Sequence, residues 1–197
     1  MKKVGIVIRD FEENDKLFVG CRKDVVDTLS KYPVQILFIP IYFPLEQVID
    51  LISLCDGVIL NGGDHFYDND FLLVKYLYEK DIPTLGICLG MQTMAITFGG
   101  KEIRVGVKHY HDNHEVLVRQ NTRLYQILKK DCILVHSRHK TGVIDTTLKV
   151  SAKSLDGVIE AVEDSSKKFF LGLEWHPESL QNKNSDLIFE AFIKSLY

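Results

Sequence analysis

A cysteine lies between two glycines in the segment Gly86-Ile-Cys-Leu-Gly90, directly after a short apolar run. The residues that follow have the apolar spacing of a helix, so the segment predicts a strand, a sharp turn and a helix with Cys88 at the turn. A nucleophile at such a turn has a strained backbone and needs small neighbours, which the glycines supply. N–H groups at the helix start favour a thiolate and can stabilise an oxyanion. The segment therefore predicts a cysteine nucleophile.

A base for this nucleophile is expected from Trp175-His-Pro-Glu178 near the end of the chain. His176 can accept the thiol proton, and the Glu178 carboxylate can fix the imidazole tautomer and stabilise the imidazolium. Because proline restricts the backbone, we expect an extended local chain that projects both side chains from the same side. Alone, a cysteine is more often a core residue and His-Pro-Glu an ordinary turn. The combination predicts a Cys-His-Glu hydrolase.

These segments resemble the class I glutamine amidotransferase superfamily, which carries its Cys-His-Glu triad on Gly-x-Cys-x-Gly-x-Gln and His-Pro-Glu motifs. Four further segments share the resemblance: Val58-Ile-Leu-Asn-Gly-Gly-Asp64, Phe98-Gly-Gly100, Val135-His-Ser-Arg-His139 and Gly172-Leu-Glu-Trp-His-Pro-Glu178. The γ-glutamyl hydrolase (peptidase C26-like) branch is the most similar, because Asp64-His-Phe-Tyr67 lies where those hydrolases carry an acidic-Pro-x-x-Tyr loop. The proline of that loop is missing here.

The resemblance implies roles for residues around the cysteine. The oxyanion would lie between the N–H groups of Leu89 and Gly63, with Gly62 as the alternative to Gly63. The residues expected to bind the glutamyl group are Gly62, Gln92, Ser137, Arg138 and His139. Hydrolysis would pass through a glutamyl thioester on Cys88, and no metal or organic cofactor is expected.

Three histidines lie close together in Lys108-His-Tyr-His-Asp-Asn-His114. Their spacing fits no standard metal site. We therefore expect no metal here and place these histidines at the rim of the active site or on the plain surface. His136 and His139 are expected to shape a loop or face the substrate.

Alternating apolar runs and amphipathic segments predict a parallel sheet with helices on both faces. Strands are expected at 4–8, 34–39, 57–61 and 84–87, and helices at 21–32, 45–55 and 71–80. Short strands at 103–107, 115–118, 133–136, 147–152, 158–162 and 169–173 are expected to pair in mixed or antiparallel fashion before a closing helix at 184–197. The predicted class is α/β: a mostly parallel, doubly wound sheet with flanking helices and additional antiparallel strands. By resemblance, the fold is flavodoxin-like.

The 197 residues are 46% hydrophobic, which suits one domain spanning 1–197. The net charge of −3, from 24 basic and 27 acidic residues, gives no basis for a nucleic-acid or membrane partner. The cysteines are scattered, and the first apolar run is too short for a signal peptide or a membrane span. We therefore expect a cytoplasmic protein with a small γ-glutamyl substrate, and the sequence leaves a homodimer open.

Two enzymatic alternatives remain open. A free-standing γ-glutamyl amide hydrolase, acting on a γ-glutamyl amine or a γ-glutamyl nucleotide phosphoramidate, is favoured by the loop ending at Tyr67 and by Trp175. The glutaminase component of a two-component amidotransferase, delivering ammonia to a synthase partner, is favoured by Leu89 after the cysteine. Glu174 replaces the usual Gln and fits neither pattern. A catalytically silent binding module is a third hypothesis, which the intact Cys88 argues against.

Overall fold

The computed structural model describes residues 1–110 and 112–197, except the side chains of Lys108 and Asp112. The strands are β1 Lys2–Glu13, β2 Lys16–Gly20, β3 Val34–Pro40, β4 Gly57–Leu60, β5 Thr84–Ile87, β6 Lys101–Arg104, β7 Asp112–Val118, β8 Cys132–Ser137, β9 Thr141–Ile144, β10 Lys149–Ser154, β11 Ile159–Glu163 and β12 Phe170–Leu173. The helices are α1 Lys23–Leu29, α2 Leu45–Ser53, α3 Asp68–Glu79, α4 Leu89–Thr97, α5 Arg123–Leu128, α6 Pro177–Leu180 and α7 Lys183–Lys194, with a 3-10 turn at Val107–His109.

One large sheet carries the fold, in the order β2-β1-β4-β5-β12-β11-β10-β7-β8, with β3 also paired to β1. Strands β3, β1, β4, β5 and β12 run parallel to one another, and β2 pairs with β1 in antiparallel fashion. Beyond β12, strands β11, β10, β7 and β8 continue the sheet in antiparallel fashion. A small separate sheet joins β6 to β9. The predicted α/β class, with its flanking helices and additional antiparallel strands, is confirmed.

Buried apolar side chains form a core on each face of the sheet. Along β4, Ile59 points into one core while Val58 and Leu60 point into the other, as strand alternation requires. Helices α1, α5 and α7 cover the first face, and α2, α3 and α4 cover the second. Because β4 and β5 are covered on both sides, their sequences are almost continuously apolar.

The carboxyl ends of three adjacent parallel strands meet at one edge of this sheet. Strand β4 leads into the Gly62-Gly63 loop, β5 into Cys88 and β12 into the segment with His176. Ligands of open α/β sheets bind at such an edge. The order of these strands therefore brings the predicted site segments together.

Several elements differ from the prediction. The sequence did not predict β2, β9, α5 or α6, and the predicted strand at 103–107 is β6 followed by the 3-10 turn. In the part of the chain that the structure describes, no helix is both long and apolar enough to cross a membrane.

Candidate active site

Cys88 occupies a strained turn between β5 and α4. Its φ of 51° and ψ of −110° lie outside the regions that L-residues usually adopt. A Cβ at Gly90 would collide with the backbone carbonyl of Leu60, and one at Gly86 would lie 2.9 Å from the Gly90 carbonyl carbon. The predicted elbow and its need for small neighbours are confirmed.

Burial raises the pKa of the Cys88 thiol well above its usual value, and the nearby Glu174 and Glu178 carboxyls act in the same direction. A hydrogen bond from the Leu89 N–H lowers this pKa, as the helix start predicts, but burial outweighs it. Burial thus opposes the thiolate that the helix start favours. The thiol proton has to leave when the sulfur attacks, so a base is required beside it.

His176 and Glu178 supply a paired imidazole and carboxylate. Nδ1 of His176 lies 2.6 Å from Oε1 of Glu178, and both residues are buried. The predicted extended chain is wrong: Pro177 starts the short helix α6, and His176 is its N-cap. Proline fits the first helical position because it has no N–H to leave unpaired. The helical turn, not an extended strand, brings the two side chains together.

The Gly62-Gly63 loop packs directly against Cys88 and His176. A Cβ placed on Gly62 would lie 3.4 Å from Cε1 of His176 and 3.6 Å from Cβ of Cys88. A Cβ on Gly63 would lie 3.1 Å from Cδ2 of Leu89. Both glycines therefore give the backbone access to the reacting groups, and the choice between them as oxyanion donor stays a prediction.

Two cavities meet at Cys88. One of about 480 Å³ is lined by Arg9, Asp10, Phe11, Gly20, Cys21, Arg22, Asn61, Gly62, Gly63, Asp64, Cys88, Arg138 and His176. The other, of about 620 Å³, is lined by Gly63, Asp64, His65, Phe66, Cys88, Leu89, Gln92, Glu102, Arg104, Tyr110, Arg138, His139, Lys140 and Thr141. Because Cys88 and Arg138 line both, a substrate attacked at Cys88 has space on either side of its scissile bond.

The residues predicted to bind the glutamyl group divide into two sets. Gln92, Arg138 and His139 line the larger cavity, and Gly62 lines the smaller one. Ser137 is fully buried and lines neither cavity. The Arg138 guanidinium donates to Oγ of Ser179 over 2.9 Å, which holds it between the cavities.

Glu174 is a buried acid behind the larger cavity. It accepts a hydrogen bond of 2.5 Å from Nε2 of Gln92, which also donates to the Thr141 carbonyl. Burial raises the pKa of Glu174 well above its usual value, and the neighbouring Glu160 adds to this effect. Burial therefore favours the neutral form of this carboxyl, which resembles a glutamine amide in shape and charge.

Arg9 and Asp10 line the smaller cavity and were not predicted from the sequence. They lie where β1 continues into a hairpin with β2, and the Arg9 guanidinium forms a bidentate pair with Asp70 at 2.7 and 2.5 Å. Asn14 and Asp15 form the hairpin turn at positive φ, 52° and 57°. This Asn-Asp pair is the signal that could have predicted the hairpin.

The histidines after Lys108 are not on the plain surface. His109 is buried and His114 nearly so, and both contact the buried Glu160. His139 completes this cluster, with its Nε2 3.3 Å from Nδ1 of His109. The third histidine of the segment, His111, lies outside the described residues.

The chain matches the model of the family Glutamine amidotransferase class-I over residues 18–195, and it belongs to this family. It is 30% identical to one subunit of the glutamine-hydrolysing GMP synthase of Methanothrix thermoacetophila, over 77% of this chain and 80% of that protein. It is 27% identical to a glutamine amidotransferase-like protein of Rickettsia prowazekii, over 80% of this chain and 83% of that protein.

A solved structure shares the fold. The crystal structure of a protein from Thermoplasma acidophilum, described as a GMP synthase subunit, superposes with a TM-score of 0.79 at 20% identity. The match covers 100% of this chain and 94% of that one. The relatives favour the glutaminase alternative over the γ-glutamyl conjugate hydrolase that the sequence analysis placed first.

Proposed function

We propose that this protein hydrolyses the side-chain amide of glutamine, with Cys88 as nucleophile, His176 as general acid and base, and Glu178 as the group that orients the imidazole. The observation that carries the proposal is the 2.6 Å contact between His176 and Glu178 at the end of β12, with the elbow of β5 beside it. The Gly62 loop, which packs against both the cysteine and the histidine, ties the three elements into one site.

The reaction starts from a protonated thiol. As the sulfur attacks the amide carbon, His176 takes the thiol proton, and Glu178 stabilises the imidazolium that forms. The imidazolium then protonates the leaving nitrogen, which departs as ammonia and leaves a glutamyl thioester on Cys88. Water, deprotonated by the same imidazole, attacks the thioester and releases glutamate.

The oxyanion of both tetrahedral intermediates would be held by backbone N–H groups of Leu89 and the glycine loop. The Leu89 N–H already interacts with the sulfur of Cys88, so it points toward the reacting centre. One such donor is worth about 3–4 kcal/mol of transition-state stabilisation.

Glutamine binds, in this proposal, with its amino-acid end in the larger cavity, where Gln92 and Arg138 form part of the wall. The names of the relatives, a subunit of glutamine-hydrolysing GMP synthase among them, support glutamine as the substrate and a synthase chain as the acceptor of ammonia. We place the protein in the cytoplasm, where a reducing environment keeps the free Cys88 thiol available.

The smaller cavity supports a second candidate, the hydrolysis of a larger γ-glutamyl amide. This cavity also reaches Cys88, and the arginines Arg9, Arg22 and Arg138 line it together with Asp10 and Asp64. Its volume of about 480 Å³ exceeds what ammonia needs. An anionic leaving group, such as the phosphoramidate nitrogen of a nucleotide, would pair with Arg22 and Arg138, because the Arg9 guanidinium is already bound to Asp70.

The discriminating experiment is glutamate release by the purified chain from glutamine, γ-glutamyl amines and γ-glutamyl phosphoramidates, each compared with Cys88→Ala. Weak hydrolysis of glutamine that increases when a synthase partner is added supports the glutaminase. Fast hydrolysis of one conjugate by the chain alone supports the second candidate. If Cys88→Ala still releases glutamate at the wild-type rate, the proposed chemistry is wrong.

A further inference from the structure

Four side chains from separate elements converge behind the larger cavity. His109 ends the 3-10 turn, His114 lies on β7, His139 follows β8 and Glu160 lies on β11. Ligand atoms of His109, His114 and Glu160 all lie within 4.8 Å of one another. We refer to these four residues as the histidine cluster.

The separations from Glu160 to His109 and His114 are close to the edges of a tetrahedron around a metal ion, and His139 lies beside this group of three. Oε1 of Glu160 is 3.3 Å from Nδ1 of His109, 3.0 Å from Nε2 of His114 and 3.8 Å from Nε2 of His139. Nδ1 of His109 and Nε2 of His139 are 3.3 Å apart. Zinc bonds of about 2.0–2.2 Å place tetrahedral ligand atoms about 3.3–3.6 Å apart.

In two of the rings, a polar contact to one nitrogen leaves the other nitrogen unprotonated and directed toward the centre of the cluster. Nδ1 of His139 lies 2.8 Å from the Thr141 carbonyl, which can only accept, so Nδ1 carries the proton and Nε2 carries a lone pair. Nε2 of His109 lies 3.1 Å from a carboxylate oxygen of Asp156, which favours the proton on that nitrogen. Neutral rings would therefore present two lone pairs to each other and to a carboxylate.

A metal ion at the centre of these atoms would accept the lone pairs. A carbonyl or carboxylate on the outer nitrogen is also what orients histidines that bind metals. In the described part of the chain, Nδ1 of His114 and Oε2 of Glu160 have no hydrogen-bond partner.

We propose that His109, His114 and Glu160 bind one divalent transition-metal ion, and that this ion is zinc. Two imidazoles and one carboxylate are donors that suit zinc, and they leave a fourth coordination position for water. A cavity of about 190 Å³, lined in part by His109, His114 and Asp156, gives the ion a path to solvent. The spacing of the histidines alone did not predict this site because the carboxylate ligand comes from a distant strand.

The ion would support the wall of the larger cavity through side chains that touch it. Nε2 of His139 lies 3.8 Å from Oε1 of Glu160 and its Nδ1 lies 3.1 Å from Oε1 of Glu174, which in turn accepts from Gln92. The proposal concerns the stability of this wall and does not depend on which substrate the cysteine attacks.

The test is the metal content of the untagged chain, purified without added metal or chelator and measured by plasma mass spectrometry. About one zinc per chain is expected, with loss of at least 80% of it in His114→Ala and in Glu160→Gln. Glu163→Gln is the matched control, because Glu163 is equally buried on the same strand but accepts from the N–H groups of Arg123 and Leu124. Retention of the metal in this control is expected.

A second measurement uses the wild-type chain, so it does not depend on whether the variants fold. Wild-type chain is treated with a chelator, dialysed and titrated with Co²⁺, which should give the intense visible absorption of four-coordinate cobalt and be displaced by Zn²⁺ at a 1:1 ratio. The proposal is overturned if the chain contains no zinc and the cobalt spectrum stays that of the six-coordinate ion. Equal loss of zinc from Glu163→Gln would also overturn the assignment of these ligands. In either case the cluster would share a proton on His109 instead.

Discussion

Two groups of buried histidine and glutamate side chains lie close to Glu174 and differ in what their ring nitrogens contact. In the candidate active site, His176 directs Nδ1 to one carboxylate, that of Glu178, and lines a cavity with Cys88. In the histidine cluster, both ring nitrogens of His109 and of His139 have close polar neighbours. A catalytic base needs a ring nitrogen that can accept a proton from the nucleophile. The number of ring nitrogens with close polar neighbours therefore distinguishes a catalytic histidine from a structural one.

Among the variants that test this comparison, loss of the nucleophile should have the largest effect on the rate of glutamate release. Cys88→Ala is expected to lower glutamate release by at least about 10³-fold, because no other group can form the thioester. Thermal unfolding should stay within a few degrees of wild type. The control is Cys132→Ala, which removes an exposed thiol and should leave the rate unchanged. An equal loss in both variants would mean that the reaction does not depend on the elbow cysteine.

Removing the charge of the orienting carboxylate should have the second largest effect on the reaction. Glu178→Gln is expected to lower kcat by about 10²- to 10⁴-fold with little change in KM, because the amide can neither stabilise the imidazolium nor hold the productive tautomer. Steady-state kinetics of glutamate release measure both constants. A change confined to KM would contradict the orienting role and would make Glu178 a structural partner like those of the cluster.

These two groups also differ in how far the sequence could predict them. Cys88 and the His176–Glu178 pair lie on short local motifs, and parallel strand order brings the motifs to one edge. The cluster depends on the pairing of β7 through β10 with β11, which joins residues far apart in the chain. Spacing within 108–114 carries no information on Glu160 or His139, so these histidines were predicted at the active-site rim or on the plain surface.

The same limit applies to local conformation. The helical turn at Pro177, predicted as extended chain, depends on tertiary packing. The turn of the β1–β2 hairpin, which was not predicted, depends on residues with positive φ. The net pKa of Cys88 also required the structure, because the helix start and the burial of the thiol act in opposite directions. Strand and helix order was predictable because apolar periodicity records it directly.

A substitution in the packed region around the nucleophile should destabilise the fold more than one in the segment that leads into the histidine cluster. Gly90→Ala would force a Cβ against the Leu60 carbonyl, so we expect the free energy of unfolding to fall by about 1–3 kcal/mol or more. Gly106→Ala is the control: it precedes the 3-10 turn, has a φ of −71° and has open space around its Cβ position. Urea denaturation measures both variants. Similar losses would show that the elbow is no more tightly packed than this turn.

The smallest effect is expected at Glu174, the residue between the two groups. Since burial raises the pKa of this carboxyl and favours its neutral form, Glu174→Gln puts an uncharged group of similar shape in its place, and kcat/KM should change by less than about threefold. Glu174→Ala should cost more, because the amide of Gln92 would lose an acceptor at 2.5 Å. If Glu174→Gln instead lowers kcat/KM as much as Glu178→Gln does, then Glu174 carries a charge in the native state. The two carboxyls, four residues apart, would then share one role, and ring-nitrogen contacts alone would not separate catalysis from structure.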